Sequence, residues 1–120
     1  MAKILIIEDD VGVLTALTKV LEKNGHTVIT AQDGLQGTTL VHSEKPDLVI
    51  LDLILPVGGG LTALRNLRIS THTKSLPVIV MSATDNVTLI EDVHAIGVDE
   101  YIEKPYDVNK LLARIQELLT

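Results

Sequence analysis

Residues 47–52 of the chain read Asp-Leu-Val-Ile-Leu-Asp, an aliphatic run that ends on a carboxylate. Runs of the same kind lie at residues 3–7 and 77–81. Continuous aliphatic runs, rather than alternating ones, are typical of strands that are buried on both faces of a parallel sheet. With two shorter segments added, the sequence predicts five strands, at residues 3–7, 27–30, 47–51, 77–81 and 100–102.

A segment of helical period follows each predicted strand. The first is an apolar stripe from Val13 to Leu21, which stops at Asn24-Gly25, a pair suited to a helix C-terminus. The last stripe starts after Asp107, which is suited to cap a helix N-terminus. Three more helices are predicted at residues 34–44, 61–67 and 89–96. The alternation indicates an α/β fold, a doubly wound five-stranded parallel sheet with five helices and the three aliphatic strands at its centre.

The composition limits the class of protein. The 120 residues suit one domain, and an apolar content of 46% excludes a disordered chain. The chain has no Phe and no Trp, and its net charge is −6, so single-stranded nucleic acid and phosphate backbones are poor partners. The apolar runs are too short to span a membrane, and residues 1–10 do not form a secretory signal. We therefore expect a cytoplasmic protein with neither a membrane nor a direct nucleic-acid partner.

Polar residues follow four of the predicted strands, at the sheet edge where doubly wound folds bind ligands. They are Glu8-Asp9-Asp10, Asp52, Ser82 and Lys104. Two carboxylates roughly 5 Å apart repel by about 3 kcal/mol at an effective dielectric constant of 20, so such a cluster favours a cation. Oxygen ligands select Mg²⁺ or Mn²⁺. Asp10 is one acid more than the site needs, and we expect it to face solvent or to cap the first helix.

Four motifs occur in an order and spacing that identify a family. They are KILIIEDD at residues 3–10, DLVILDLILP at residues 47–56, PVIVMSA at residues 77–83 and YIEKP at residues 101–105. Over its whole length the chain resembles the receiver domain of bacterial two-component response regulators. The resemblance implies the flavodoxin-like strand order 2-1-3-4-5 and a phosphorylation-dependent switch in a phosphorelay, rather than a turnover enzyme. Residues 1–120 would then be a single receiver domain, with no output domain present.

The resemblance also implies a role for each site residue. Asp52 would accept the phosphoryl group from a phosphohistidine on a sensor histidine kinase or a phosphotransfer protein. The metal ligands would be Asp9, Asp52 and the backbone carbonyl of Ile54, with Glu8 acting through a water. Lys104 would pair with the phosphoryl oxygens, and the bond between Lys104 and Pro105 would be cis. The domain would promote its own Mg²⁺-dependent phosphorylation and dephosphorylation.

The output of the switch is expected on the face made by the fourth helix, fifth strand and fifth helix. In the family's pattern, Ser82 would hydrogen-bond the phosphoryl group and Tyr101 would move inward. The partners would be a downstream protein, an output domain outside these residues, or a second copy of the phosphorylated chain.

A glycine triplet and the four histidines are two further local features of the sequence. Gly58-Gly59-Gly60 predicts a mobile loop beside the site. The four histidines, among which no pair has the i, i+4 spacing of a helical metal site, are expected on the surface, and they are His26, His42, His72 and His94.

Two other classes of function share some of these features. A phosphatase or mutase of the haloacid dehalogenase type also uses an Asp nucleophile, but Asp52-Leu53-Ile54 lacks the second acid of its Asp-x-Asp motif. A flavodoxin-like cofactor binder or inert scaffold would share the fold, but no glycine-rich phosphate loop follows the first strand. Turnover of a small phosphoester would favour the first alternative, and a bound flavin the second.

Overall fold

The fold is a parallel sheet with helices on both faces. A computed structural model describes residues 2–57 and 59–120. The strand order is β2-β1-β3-β4-β5, which confirms the predicted fold class. The strands are β1 (Lys3–Ile7), β2 (Thr27–Ala31), β3 (Leu48–Asp52), β4 (Val78–Ser82) and β5 (Glu100–Glu103). The helices are α1 (Val11–Lys23), α2 (Gly34–Glu44), α3 (Gly60–Ile69), α4 (Val87–Ile96) and α5 (Val108–Leu119).

The core consists of two apolar layers, one on each face of the sheet. Every residue of β3 and β4 is buried, as expected for central parallel strands. Alternate residues of these strands point to opposite faces. Val49 and Val80 belong to the layer beneath α2, α3 and α4, whereas Ile50 and Ile79 belong to the layer beneath α1 and α5. This packing fixes the sheet edge on which the polar residues lie.

The structure differs from the sequence prediction in where four of the strands end. Strands β2 and β5 each run one residue further than predicted, to Ala31 and Glu103, and so do β3 and β4. The last residues of these two central strands are Asp52 and Ser82. Asp52 is paired with Met81 in the parallel ladder. Ladder hydrogen bonds are made by the backbone, so a polar side chain does not end the strand. Both functional candidates therefore lie on rigid strand backbone rather than in the loops that follow.

Acidic side chains cap helices where the sequence indicates. Asp10 Oδ1 accepts a hydrogen bond from the Val13 amide at 3.1 Å, and Asp107 caps α5 in the same way. These caps confirm the predictions for both residues. Gly58, within the predicted mobile loop, lies outside the described residues. In the part of the chain that the structure describes, no helix is long and apolar enough to cross a membrane.

The prediction that all four histidines lie on the surface is wrong for His26. His26 is half-buried, and its Nδ1 atom is buried without a hydrogen-bond partner. The reason is the turn after α1, where the His26 amide donates to the Leu21 carbonyl at 3.1 Å and folds the residue back against the helix. His42, His72 and His94 are exposed, as predicted.

Candidate functional site

The site begins with a lysine held between two carboxylates. Lys104 Nζ donates a hydrogen bond to Glu8 Oε1 and lies 3.4 Å from Asp52 Oδ2. Glu8 directly follows β1, Asp52 ends β3 and Lys104 follows β5, so the parallel sheet brings together residues from three strand ends. Glu8 is only 4% exposed and Asp52 8%. Two carboxylates this deeply buried need compensating positive charge.

Three carboxylates form a candidate metal centre. Glu8, Asp9 and Asp52 each offer one oxygen, and these oxygens lie within 4.8 Å of one another. A set of oxygen donors alone fits a hard divalent cation such as Mg²⁺ or Mn²⁺. Asp10 is not part of this cluster among the described residues: its amide donates to Glu8 Oε2 at 3.2 Å while its carboxylate caps α1.

The electrostatics of the site follow from crowding of like charges. Burial raises the pKa of Glu8, and neighbouring Asp52 raises it further, while the hydrogen bond from Lys104 opposes the rise. Burial by itself would lower the pKa of Lys104, but its bond to Glu8 and the charge of Asp52 outweigh that effect and raise it. Lys104 therefore stays cationic, and one ammonium faces three acids. The site retains negative potential that a cation would reduce.

The backbone around Asp52 is tightly constrained. The Ile54 amide donates to Asp52 Oδ1 at 3.2 Å, which orients the carboxylate. Gly60 begins α3 so close to the strand that a Cβ there would clash with the Asp52 carbonyl oxygen and the Leu53 Cα. Gly60 is therefore required by close approach, a feature that the sequence prediction of a mobile loop did not include. The carbonyl of Ile54, expected as a metal ligand, stays a prediction.

Ser82 and Tyr101 lie beside the carboxylate cluster, toward α4. Ser82 is fully buried, and its Oγ accepts a hydrogen bond from the Thr84 amide at 3.2 Å. The Lys104 amide donates to the Ser82 carbonyl at 2.9 Å, which joins the ends of β4 and β5. The Tyr101 hydroxyl is buried without a hydrogen bond. Burial raises the pKa of Tyr101, and the nearby Ser82 side chain opposes that rise.

The Lys104–Pro105 peptide bond is cis. His94, expected only to lie on the surface, packs against the Tyr101 ring, with the ring centroids 5.8 Å apart. That contact joins helix α4 to strand β5 across the loop between them. Hydrophobic periodicity describes one helix or strand at a time, so it could not indicate this contact.

An apolar rim surrounds the acidic cluster, and the sequence analysis missed it. Six large apolar side chains are exposed on the sheet edge that carries Asp52: Val11, Leu35, Ile54, Val57, Val87 and Val108. Four of them occupy the first or second position of a helix, and the other two lie in the loop after β3. The sequence does carry a signal for this rim. An apolar residue at the start of a helix that lies outside the buried stripe cannot reach the core, so it is expected to be exposed.

Comparison with known proteins matches this arrangement to one family. The model of the response regulator receiver domain matches residues 4–116. The chain belongs to the response regulator receiver domain family. Protein PilH of Pseudomonas aeruginosa is 37% identical over 119 residues, which cover 99% of this chain and 98% of PilH.

Other members differ in length. The DNA-binding dual master transcriptional regulator RpaA of Synechocystis is 37% identical over 119 residues, but the match covers 99% of this chain and only 49% of RpaA. The chain thus spans nearly all of PilH and about half the length of several other curated relatives. Among solved structures, a CheY-like response regulator receiver domain protein from Methanospirillum hungatei has a TM-score of 0.92 at 26% identity, covering 99% of this chain and 94% of that one.

Proposed function

We propose that this receiver domain accepts a phosphoryl group on Asp52 from a phosphohistidine of a sensor histidine kinase or phosphotransfer protein. The observation that carries the proposal is the bridge from Lys104 to Glu8 and Asp52, next to the three-carboxylate cluster. Phosphoryl transfer asks a protein chiefly for positioning and charge neutralisation, and these residues supply both.

The chemical step is a displacement at phosphorus. A carboxylate oxygen of Asp52 attacks, and an O–P bond forms as the P–N bond to the donor imidazole breaks. The electron pair of the broken bond stays on the imidazole nitrogen, and with a proton on the other ring nitrogen of the donor the products are neutral histidine and an aspartyl phosphate. Lys104 Nζ already lies 3.4 Å from Asp52 Oδ2, so the ammonium can donate hydrogen bonds to the phosphoryl oxygens once the group is attached. The Ile54 amide keeps the other oxygen of Asp52 oriented.

The carboxylate cluster suits a divalent cation in this reaction. Asp9 and Asp52 would hold it directly with the Ile54 carbonyl, and Glu8 would contribute through a water. A bound Mg²⁺ or Mn²⁺ would neutralise the charge that otherwise repels a phosphoryl donor. Because Glu8 is engaged by Lys104, it is the ligand least free to contact the ion directly.

The apolar rim favours a protein as the phosphoryl donor over a small molecule. Asp52 is recessed, whereas Ile54 and Val57 beside it are 58% and 57% exposed. A protein donor that reaches Asp52 covers these side chains and gains free energy from burying them, which a small donor does not. A histidine on a partner protein therefore fits the site.

The output of the switch is assigned to the face of α4, β5 and α5. On phosphorylation, Ser82 would hydrogen-bond the phosphoryl group, and the loop after β4 would move toward Asp52 with it. The Tyr101 hydroxyl is already buried beneath α4, so the inward movement expected of this ring would be a further adjustment that carries the change to the surface. A downstream protein, an output domain attached to this one, or a second phosphorylated copy would then bind that face. The domain is a switch and not a turnover enzyme, and we place it in the cytoplasm.

The phosphoacceptor can be tested by intact-mass measurement after incubation with acetyl phosphate. We expect the wild-type protein to gain one phosphoryl group with Mg²⁺ and none in excess chelator. Asp52→Asn should gain none. Asp10→Asn is the matched control, since Asn caps a helix as well as Asp and this carboxylate lies outside the cluster. Labelling of Asp52→Asn, or equal labelling in chelator, would contradict the proposal.

A further inference from the structure

The Tyr101 ring is held chiefly by packing, since its buried hydroxyl lies near the Ser82 side chain without a hydrogen bond of ordinary geometry. Tyr101 points into the apolar layer beneath α4, where Leu89, Ile96 and Val98 are partly buried with it. Its hydroxyl is buried, and no hydrogen bond satisfies it. A buried polar group without a partner costs free energy, so this position of the ring persists only if neighbouring side chains compensate.

His94 is the aromatic neighbour of that ring. The His94 and Tyr101 ring centroids lie 5.8 Å apart with the planes tilted by 38°, within the range for favourable aromatic pairs. Among the residues that the structure describes, this is the one aromatic pair. The contact crosses from the exposed side of α4 to the edge strand β5.

The His94 ring is itself tied to the helix. Its Nδ1 atom lies 2.9 Å from the carbonyl oxygen of Ile90, one turn earlier in α4. This hydrogen bond requires the proton on Nδ1. It limits rotation of the imidazole, so the ring moves as part of α4 rather than as a free surface side chain.

We infer that His94 is a positioning residue that holds the Tyr101 ring inward and couples its position to α4. The inference rests on the proposed function, in which Ser82 and Tyr101 carry the signal away from Asp52. Movement of the loop after β4 displaces the start of α4, and His94 carries that displacement to the ring. The populations of inward and outward Tyr101 then depend on a contact made by the side chain of His94.

Nothing in this role requires the imidazole to titrate or to touch the phosphoryl group. It requires a flat ring at position 94 packed against Tyr101, which Phe supplies even without the hydrogen bond to Ile90. The role therefore predicts that Phe at position 94 retains the function and that Ala does not.

The test uses fluorine NMR of protein labelled with 3-fluorotyrosine. Tyr101 and Tyr106 are the two tyrosines, so Tyr106→Phe leaves Tyr101 as the single probe. In this background we expect one resonance away from the position seen in urea. His94→Ala should move it toward the urea position or broaden it by exchange, and His94→Phe should restore it. His42→Ala, which removes an exposed histidine from the last turn of a different helix, should leave it unchanged.

Addition of a beryllofluoride phosphoryl mimic with Mg²⁺ separates this inference from the proposed function. In the parent protein the Tyr101 resonance should shift, and in His94→Ala the shift should fall by at least half. If the parent and His94→Ala shift equally on addition of the mimic, the role of His94 is overturned while the proposed switch stands. A Tyr101 resonance identical in the parent and in His94→Ala without the mimic would overturn that role too. A parent that ignores the mimic would instead contradict the proposed switch.

Discussion

Lys104 donates its hydrogen bond to Glu8, a residue 96 positions earlier in the chain, and makes a longer contact with Asp52. The resemblance assigns Lys104 to the phosphoryl oxygens, and Asp is the more usual residue at position 8 of the family. The side chain of Glu8 is one methylene longer than that of Asp, and it accepts a hydrogen bond from the Lys104 ammonium in the absence of a phosphoryl group. Phosphorylation of Asp52 therefore has to draw Lys104 from an existing partner.

The first prediction concerns the charge balance of this cluster. Lys104→Met keeps the apolar stem but removes the cation facing three carboxylates. We expect the free energy of unfolding in chelator to fall by about 2 kcal/mol, less than the roughly 3–5 kcal/mol of a fully buried pair because Lys104 is partly exposed. Since a divalent cation can replace the missing charge, Mg²⁺ should stabilise the variant more than the wild type. Urea unfolding with and without Mg²⁺ measures both differences.

The control for that prediction is Lys110→Met, an exposed lysine in the first turn of α5. It should change stability by less than about 0.5 kcal/mol in either condition. If Lys104→Met loses the same free energy of unfolding with and without Mg²⁺, the idea that a divalent cation replaces the charge of Lys104 is wrong.

The second prediction tests the close approach at Gly60. Gly60→Ala would push a Cβ into the backbone of Asp52 and Leu53, so either α3 or the end of β3 must shift. We expect a loss of about 1–3 kcal/mol in the free energy of unfolding, typical of overpacking. Phosphorylation by acetyl phosphate should also slow, because the Asp52 carboxylate moves. Thr62→Ala, exposed in the same helix, is the control and should leave both measurements near wild type.

The sequence predicted most of the fold because the deciding signals are local. The aliphatic run at residues 48–51 is buried on both faces, and Asp10 and Asp107 cap the helices that they precede. Each of these signals depends on a few neighbouring residues. The strand ends at Asp52 and Ser82 were predicted one residue short, because a polar side chain at a ligand-binding edge does not interrupt the backbone ladder.

The candidate site was predictable as a set of residues but not as a set of contacts. That Glu8, Asp9, Asp52 and Lys104 meet follows from parallel strands ending at one edge. That Lys104 bonds Glu8 in preference to Asp52 depends on side-chain reach across the sheet, which no sequence pattern encodes. The contact between His94 and Tyr101 depends in the same way on how α4 lies against β5.

The third prediction concerns the lifetime of the aspartyl phosphate. In the family that the chain resembles, the side chains two residues after the phosphoacceptor and after the position of Ser82 flank the path of water. Here they are Ile54 and Thr84, and neither offers a carboxylate or an amide to orient a water. We therefore expect slow self-dephosphorylation. Ile54→Asn should speed the decay by roughly tenfold, equivalent to about 1.4 kcal/mol in the barrier, because the exposed position 54 side chain lies next to Asp52. The decay is followed by intact mass after removal of the donor.

Val57→Asn provides the matched control for the lifetime prediction. Val57 is as exposed as Ile54 and lies in the same loop, but among the described residues no hydrogen bond joins it to Asp52. Its substitution should leave the decay rate within about twofold of wild type. Equal acceleration by both variants would indicate a general loosening of the loop, and an unchanged rate in Ile54→Asn would show that other residues control access of water.

The last prediction follows from the burial of both tyrosines. Burial raises the pKa of Tyr101 and of Tyr106 above the ordinary value of 10.0, because it disfavours the phenolate. In the unfolded chain both titrate near 10.0, so the unfolded state loses its protons first as pH rises. The contribution of these tyrosines to stability is therefore complete below pH 10.0 and is lost as pH rises through the higher folded-state values. Tyrosinate absorbance in Tyr106→Phe should show Tyr101 titrating above 10.0 in buffer and near 10.0 in urea. A midpoint in buffer equal to that in urea would mean that the Tyr101 hydroxyl spends its time in water, contrary to the inward ring described here.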